Sequence, residues 1–260
     1  MFRPVSIVVL IFLIISGIGS CNNEMKKDLS LTVEEYRKLG MPDQSKVWTN
    51  DDYINANITL SSLKANYPLS LPRKDSKKSG AVFNRLVSEE NLSFIYDTIY
   101  PLRIRAYLIQ HFTGFQSELL QFYSAEIKGE KPYMAELADI NLFSLTVHEK
   151  MLELAWKIMD SDDESDQSIA SGMNAVKYNY LKLISRLLEE QIKEKEYNEN
   201  DLQRLSDRLS VSIIKNNTWF PPEDRKTLIS HLESIINNSP GDYIKKKYIE
   251  TLKIINNVNN

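Results

Sequence analysis

From Trp48 onward, apolar residues recur at steps of three and four positions along most of the chain. That spacing places them on one face of a helix, whereas a half-buried strand would alternate apolar and polar positions. Alternating runs bounded by Gly or Asn-Gly turns do not occur in this part of the sequence. The pattern therefore predicts an all-α domain, built as a multi-helix bundle or as stacked antiparallel helical hairpins.

Prolines divide this pattern into segments, because proline suits the first turn of a helix and disrupts its interior. Pro101, Pro132 and Pro221 each precede an apolar-periodic run, and residues 133–220 contain no proline, which permits long helices. A short helix is predicted at Leu31–Leu39, with Ser30 as its cap. The other predicted helices are 51–66, 80–98 (with an alternative break near Ser88), 101–128, 132–160, 168–197, 199–217, 221–237 and 241–256.

Three of these helices are predicted to contribute most of the residues of the hydrophobic core. The 132–160 segment is apolar on two faces, which is typical of a helix at the centre of a bundle. The 168–197 segment has one apolar stripe, as expected of a helix with one face towards the core. The stripe predicted for 101–128 consists of Ile104, Leu108, His111, Phe115, Leu119 and Phe122.

The last three predicted helices share a weak repeat. An Ile-Ile pair followed by Asn residues occurs at 213–217, 235–238 and 254–257. Because Asn tolerates the left-handed conformation that ends helices, each Asn pair is interpreted as a helix end. This is consistent with helical hairpins, although frequent use of Asn, Lys and Ile explains the repeat equally well.

The N-terminal residues follow the pattern of a signal sequence. Arg3 supplies a positive charge, Val5 to Ile15 is almost entirely apolar, and small residues follow. The leader ends in Ile18-Gly19-Ser20-Cys21, which resembles the lipobox of bacterial lipoproteins. The resemblance implies diacylglycerol on the Cys21 thioether, cleavage before Cys21, and acylation of the new amine, with palmitate as an expected chain. The alternatives are an uncleaved anchor helix or an ordinary secretory signal.

The resemblance also implies a domain organisation and a location. Residues 1–20 are the predicted signal peptide, 21–47 a lipid-attached tether with a short helix, and 48–260 a single all-α domain. The expected location is the bacterial cell envelope, anchored to a membrane. The outer membrane is favoured because Asn22, rather than the Asp of an inner-membrane retention signal, follows Cys21. The face of that membrane is left open.

Composition narrows the possible functions. The chain has 260 residues, a net charge of -3, 42% hydrophobic residues and 26% charged residues, which excludes a wholly disordered protein. Nucleic-acid binders carry a basic excess, so no nucleic-acid partner is predicted. One Cys excludes a disulfide framework and a multi-cysteine zinc site. If Cys21 is lipidated, thiol catalysis is also excluded.

Metal-binding patterns are missing from the sequence. His111, His148 and His231 have no second His or Glu-x-x-His spacing beside them, and are interpreted as core or boundary residues. The acidic segment 160–166 lacks the Gly and the bidentate Glu of a calcium loop, and is interpreted as a solvated loop. No metal, cofactor or catalytic residue is predicted.

One basic segment is a candidate binding site. Arg73, Lys77 and Lys78 precede a predicted helix start near Gly80, and Arg85 follows within that helix. Together with backbone N–H groups at the helix start they are predicted to bind an anion. The competing interpretations are a mobile charged loop, and contact of the lysines with anionic lipid head groups.

The sequence is therefore consistent with two functions. The first is a non-catalytic, lipid-anchored helical protein that binds a protein or peptide partner or supports an envelope complex, with Trp48 or Trp219 as a possible anchor for the partner. The second is an all-α binding protein or enzyme for an anionic small ligand, which would use the basic residues between 73 and 85. Whether the protein is an enzyme stays open, with the missing catalytic patterns favouring a binding function.

Overall fold

The structure is a computed structural model, and it describes residues 28–170, 172–193, 197–238 and 241–258. The described residues form ten α-helices and no β-strand, which confirms the predicted all-α fold. The predicted signal peptide, the lipobox and Cys21 lie outside the described residues. None of the described helices combines the length and the hydrophobicity needed to cross a bilayer.

The helices are named α1 to α10 in chain order. They are α1 Val33–Lys38, α2 Asn50–Asn66, α3 Gly80–Leu86, α4 Leu102–Tyr123, α5 Met134–Met159, α6 Glu164–Ala170, α7 Met173–Lys193, α8 Glu199–Asn216, α9 Pro222–Asn238 and α10 Asp242–Val258. Short 3₁₀ helices occupy Pro68–Ser70, Glu89–Tyr96 and Asn217–Trp219.

The helix α5 lies at the centre of the molecule, as its two apolar faces predict. It packs against α4, α7, α8 and the 3₁₀ helix Glu89–Tyr96, and buried side chains occur around most of its circumference. Helices α9 and α10 pack on each other, α9 also on α7 and α10 on α8. The bundle is therefore organised around one central helix.

Several predicted helices break or end earlier than expected. The predicted helix 168–197 is divided near Gly172 into α6 and α7. The alternative break near Ser88 is present, and the second half of 80–98 is a 3₁₀ helix. Helix α4 ends at Tyr123 rather than at residue 128, and a tight turn occupies the end of the predicted segment, where Lys128 and Gly129 have φ of 53° and 80°. The side chain that caps α1 is that of Thr32, not Ser30.

The predicted core stripe of α4 is confirmed at Leu119 and Phe122, which are buried, and is wrong in the first half of the helix. Its members His111 and Ile104 are exposed, and Phe115 is half-buried. Most buried positions of α4 follow a neighbouring line that also has three- and four-residue steps, Ile109, Phe112, Gln116, Leu119 and Tyr123, and Phe122 is buried beside it. The helix is thus rotated relative to the prediction, and a glutamine occupies the middle of its buried face.

The segment before α2 belongs to the same core. Tyr36 and Trp48 are almost completely buried, and the Tyr36 hydroxyl donates to the carbonyl oxygen of Ser70 at 2.7 Å. The Trp48 backbone N–H donates to Asn91 Oδ1 at 2.8 Å. The core therefore includes residues of the predicted tether, 21–47, as well as of the predicted domain, 48–260.

Candidate functional site

The basic residues proposed to bind an anion contact different parts of the molecule. Arg73 Nη1 donates to the carbonyl oxygen of Pro132 at 3.0 Å, and its guanidinium lies 4.6 Å from the centre of the Tyr133 ring. Lys78 Nζ donates to the carbonyl oxygen of Asp28 at 3.4 Å. Both cations therefore connect segments of the fold.

Arg85 lies near the opposite end of α3 from Arg73 and Lys78. Its Nε donates to the carbonyl oxygen of Gln44 at 3.0 Å, and its Nη1 to Glu90 Oε2 at 2.9 Å. Lys77 is exposed. The structure therefore does not bring Arg73, Lys77, Lys78 and Arg85 together around a shared pocket within the described residues.

The backbone N–H groups at the start of α3 are also engaged locally. The N–H of Gly80 donates to the carbonyl oxygen of Ser76 at 2.8 Å, and the N–H of Ser79 to Ser76 Oγ at 3.2 Å. A Cβ at Gly80 would lie 2.8 Å from the carbonyl oxygen of Lys74. This loop is thus tightly folded on itself, which disfavours the anion-binding interpretation.

The two tryptophans considered as partner anchors, Trp48 and Trp219, both pack against other parts of the fold. Trp48 is buried and its Nε1 donates to the carbonyl oxygen of Asp43 at 2.9 Å, so it cannot anchor a partner. Trp219 is half-buried against Trp156, with 5.6 Å between ring centres.

The acidic segment 160–166 forms the turn into α6. Asp163 Oδ1 accepts hydrogen bonds from Ser165 N at 2.8 Å and Ser165 Oγ at 2.6 Å. Asp166 accepts one from Ser161 Oγ at 2.9 Å. In the described part of the chain, no three Asp, Glu, His or Cys side chains are grouped so that they could hold a metal ion.

A cleft of about 660 Å³ lies between α5 and α8, and ion pairs engage most of its charged groups. Arg204 Nη2 lies 2.5 Å from Asp139 Oδ1, and Lys247 Nζ lies 2.7 Å from Asp207 Oδ1. Of the other charged residues of its lining, Arg208 binds Glu149, whereas the Glu89 carboxylate accepts a hydrogen bond from the neutral Thr146 hydroxyl. The ion pairs connect α8 with α5 and α10 and so stabilise helix packing.

A second concave surface runs between α4 and α7, both of which pack on α5. It has a polar lobe of about 610 Å³ and an apolar lobe of about 470 Å³, which share the lining residues Met151 and Asn179. Helices α4 and α7 supply its walls and α5 its floor. We call this surface the α4/α7 groove.

Two buried polar side chains of the polar lobe have no hydrogen-bond partner among the described residues. They are Gln116 of α4, 2% exposed, and Ser144 of α5, 1% exposed. Both the nitrogen and the oxygen of the Gln116 carboxamide are unpartnered, as is the Ser144 hydroxyl. Buried polar groups are almost always hydrogen-bonded in folded proteins, so these groups call for a partner, which an ordered water or a bound ligand can supply.

His148 lines the same lobe, one helical turn after Ser144. Its Nδ1 lies 2.9 Å from the carbonyl oxygen of Ser144, and because a carbonyl can only accept, Nδ1 carries the hydrogen. Burial lowers the pKa of His148 below its usual 6.5, and the charge of Arg186 lowers it further, whereas the bond to Ser144 raises it. The ring is thus neutral at neutral pH, with Nε2 as a hydrogen-bond acceptor.

Gly114 interrupts the wall of the polar lobe. A Cβ at this position would meet no atom within 4 Å, so no close contact within the described structure requires a glycine. Glycine in a helix interior is destabilising by about 1 kcal/mol relative to alanine. The missing side chain instead leaves the exposed edge of the polar lobe open at this position.

The apolar lobe lies towards the start of α4. Tyr107 and Ile104 of α4 are 59% and 38% exposed, and face Val176 of α7 across the lobe. Met151 and Ile169 complete its apolar lining, and Arg103 lies at its edge. Large apolar side chains gathered at an open surface are typical of a protein interaction site.

Most of this site was not predicted from the sequence. His148 was interpreted as a core or boundary residue and is half-buried in the groove. No role was predicted for Gln116, Ser144 or Gly114. A glutamine in line with Ile109 and Phe112 was the available signal, because a polar residue on a buried helix face calls for a partner.

Comparisons with known proteins do not identify this chain. No family model, no curated protein and no solved structure matches it. The function is therefore inferred from the geometry and the sequence alone.

Proposed function

We propose that this protein is a lipid-anchored lipoprotein of the bacterial cell envelope that binds a segment of another protein in the α4/α7 groove. The observation that carries the proposal is the pair of unpartnered buried side chains, Gln116 and Ser144, beside an apolar lobe. Binding sites commonly combine a largely apolar lining with a few precisely placed polar groups. The groove has this composition.

The groove chemistry supports binding without catalysis. Nucleophilic catalysis by serine requires a base in contact with its hydroxyl. His148 contacts the carbonyl oxygen of Ser144 instead, and the Ser144 hydroxyl has no hydrogen-bond partner in the described structure. Ser144 is therefore suited to hydrogen bonding with a ligand rather than to attack on one.

The anchor part of the proposal is supported by Ile18-Gly19-Ser20-Cys21. Each buried CH₂ of an acyl chain contributes about 0.8 kcal/mol, so two or more chains hold a protein durably at a membrane. Replacing Cys21 by Ala should release the protein from membranes washed at alkaline pH. Immunoblotting of the washed membranes measures this, with Asn22→Ala as the control that stays bound. A Cys21→Ala protein that remains bound would contradict the lipid anchor.

The binding part is tested by cross-linking in cells. A photo-reactive amino acid replaces Tyr107 in the groove or, as the control, the exposed Ser61 on α2. We expect a discrete cross-linked protein from position 107 and none from 61. Adding Gly114→Phe should abolish that product because the ring fills the groove, whereas Gly114→Ala should preserve it. Equal products with both variants would contradict binding in the groove.

A further inference from the structure

The unpartnered groups of the polar lobe match the hydrogen-bonding pattern of a peptide main chain. The carboxamide of Gln116 offers one donor side and one acceptor side, and both are unpartnered within the described residues. A peptide unit offers an N–H and a C=O, which pair with a carboxamide through two hydrogen bonds. Ser144 and Nε2 of His148 add further partners on the floor.

An extended segment presents these main-chain groups, and a helix does not. Inside a helix each N–H bonds the carbonyl four residues earlier, so neither group is left for a receptor. In an extended chain the N–H and C=O groups project sideways and are unpaired until another strand or receptor binds them. The buried donor and acceptor of Gln116 therefore favour an extended ligand over a docked helix.

The buried polar groups of the polar lobe carry no formal charge. They are the carboxamide of Gln116 on the α4 wall, and the hydroxyl of Ser144 and the neutral ring of His148 on the floor. The rim carries both signs, with Lys182, Arg186 and Glu189. A phosphate, carboxylate or ammonium group would lose its hydration at this floor without a compensating charge. A neutral amide suits the floor better.

The apolar lobe adds a second contact at a defined distance. Tyr107 precedes Gln116 by nine residues on α4, which corresponds to about 14 Å along the helix. An extended peptide covers that distance in about four residues. A bulky apolar side chain about four residues from the main-chain contact would therefore reach Tyr107, Ile104 and Val176. A glycan, as an alternative ligand, has no apolar group as large as the side chain of Leu, Phe or Tyr.

We propose that the α4/α7 groove binds an extended peptide segment, whose main-chain N–H and C=O pair with Gln116 while an apolar side chain fills the lobe between Ile104 and Val176. This inference rests on the proposed function and names the ligand class of the same groove. It assigns Gln116 and Ser144 as recognition residues for a main chain.

The test uses the full chain and an array of end-capped, uncharged seven-residue peptides, each with one Leu, Phe or Tyr. Affinities of the peptides that bind are measured by fluorescence anisotropy with the wild type, Gly114→Ala and Gly114→Phe. We expect binding that Gly114→Phe abolishes and Gly114→Ala leaves unchanged. Thermal unfolding of each variant verifies that the fold is retained.

A double-mutant cycle then tests the main-chain pairing. Each peptide bond is N-methylated in turn, and affinities are measured with wild type and Gln116→Met. One methylation should weaken wild-type binding about tenfold, as expected for a lost hydrogen-bond pair, and should have little further effect on Gln116→Met. Ser144→Ala provides a second variant should Gln116→Met fail to fold. The thermal stability of Gln116→Met should not decrease, because the amide has no partner to lose.

The outcomes separate this inference from the proposed function. In one outcome, Gly114→Phe abolishes peptide binding, but N-methylation weakens binding equally in wild type and Gln116→Met. That result would overturn main-chain recognition and leave the proposed function standing. Stronger binding of peptides locked as helices would do the same. If the protein binds N-acetylglucosamine oligomers instead of peptides, or binds none of the peptides, both the main-chain recognition and the proposed function would be overturned.

Discussion

At the scale of single residues, Glu149 holds α5 against α7 and α8. Its carboxylate accepts hydrogen bonds from Arg208 Nη1 and Nη2 at 2.8 and 2.7 Å, from the Tyr180 hydroxyl at 3.3 Å, and from Ser212 Oγ. Burial raises the pKa of Glu149. The hydrogen bonds from Arg208 and Ser212 and the charge of Arg208 lower it by more, so the pKa of Glu149 lies below its usual 4.5. Glu149 is thus ionised at neutral pH.

Replacing Glu149 by Gln should lower the free energy of unfolding at neutral pH by about 3 kcal/mol, because Arg208 keeps its charge and loses its partner. The pKa of Glu149 is lower in the folded than in the unfolded protein. Its stabilisation is therefore complete above the unfolded pKa and is lost as the pH falls through the folded one. The wild type should lose stability more steeply on acidification than the variant. Urea unfolding at neutral and acidic pH measures both effects.

The control for this prediction is Glu34→Gln. The Glu34 carboxylate lies 3.8 Å from Lys38 Nζ on the exposed side of α1, and such surface pairs contribute less than about 1 kcal/mol. An equal loss of stability in the two variants, or an unchanged acid slope in Glu149→Gln, would show that Glu149 does not anchor the helices.

Glutamine 116 shows why the site was harder to predict than the fold. Apolar residues occur on more than one side of α4, and the line that contains Gln116 looks less apolar than the line through Ile104 and Phe115. Which line is buried depends on where α2 and α5 contact α4, and their positions are set by tertiary packing. Local periodicity does not contain that information.

At the scale of helices, the sequence predicted the helical segments well and their interruptions poorly. Proline positions and three- to four-residue periodicity placed α2, α5, α8, α9 and α10 within a few residues of their observed ends. The division near Gly172 was missed because the apolar stripe of α7 continues without a proline. A single glycine is tolerated within helices, so it does not define a break without knowledge of the packing.

Alanine substitutions at two glycines should have opposite effects. Gly114→Ala is expected to raise the free energy of unfolding by about 0.5–1 kcal/mol, because its methyl meets nothing within 4 Å and the helix loses a flexible residue. Gly80→Ala should lower it, because its methyl would lie 2.8 Å from the Lys74 carbonyl oxygen. Urea denaturation of the two variants gives the sign of each change. Stabilisation by Gly80→Ala would show that the loop before α3 yields readily.

At the scale of the whole molecule, the segment before α2 is part of the bundle. It contributes Tyr36, Met41 and Trp48 to the core, all at most 4% exposed. Full burial of a large apolar side chain contributes about 1.5–3 kcal/mol. Three such residues together approach the net stability of an ordinary domain.

Two truncations test this contribution. A chain that begins at Asp28 retains the described core and should melt at the same temperature as the chain that begins at Cys21. A chain that begins at Thr49 lacks the three buried residues and should lose cooperative unfolding. Calorimetry of both proteins measures the difference. Equal melting of the Thr49 chain would show that the segment is dispensable for folding.

The central position of α5 has a consequence for how the groove can adapt. The helix that forms the groove floor is also the one enclosed by most of the bundle, so its backbone should open least often and exchange its amide hydrogens most slowly. The walls, α4 and α7, each have a solvent-facing side and are less constrained. An unyielding floor would then fix the depth of the groove, while the walls adjust to the varying side chains of different bound sequences.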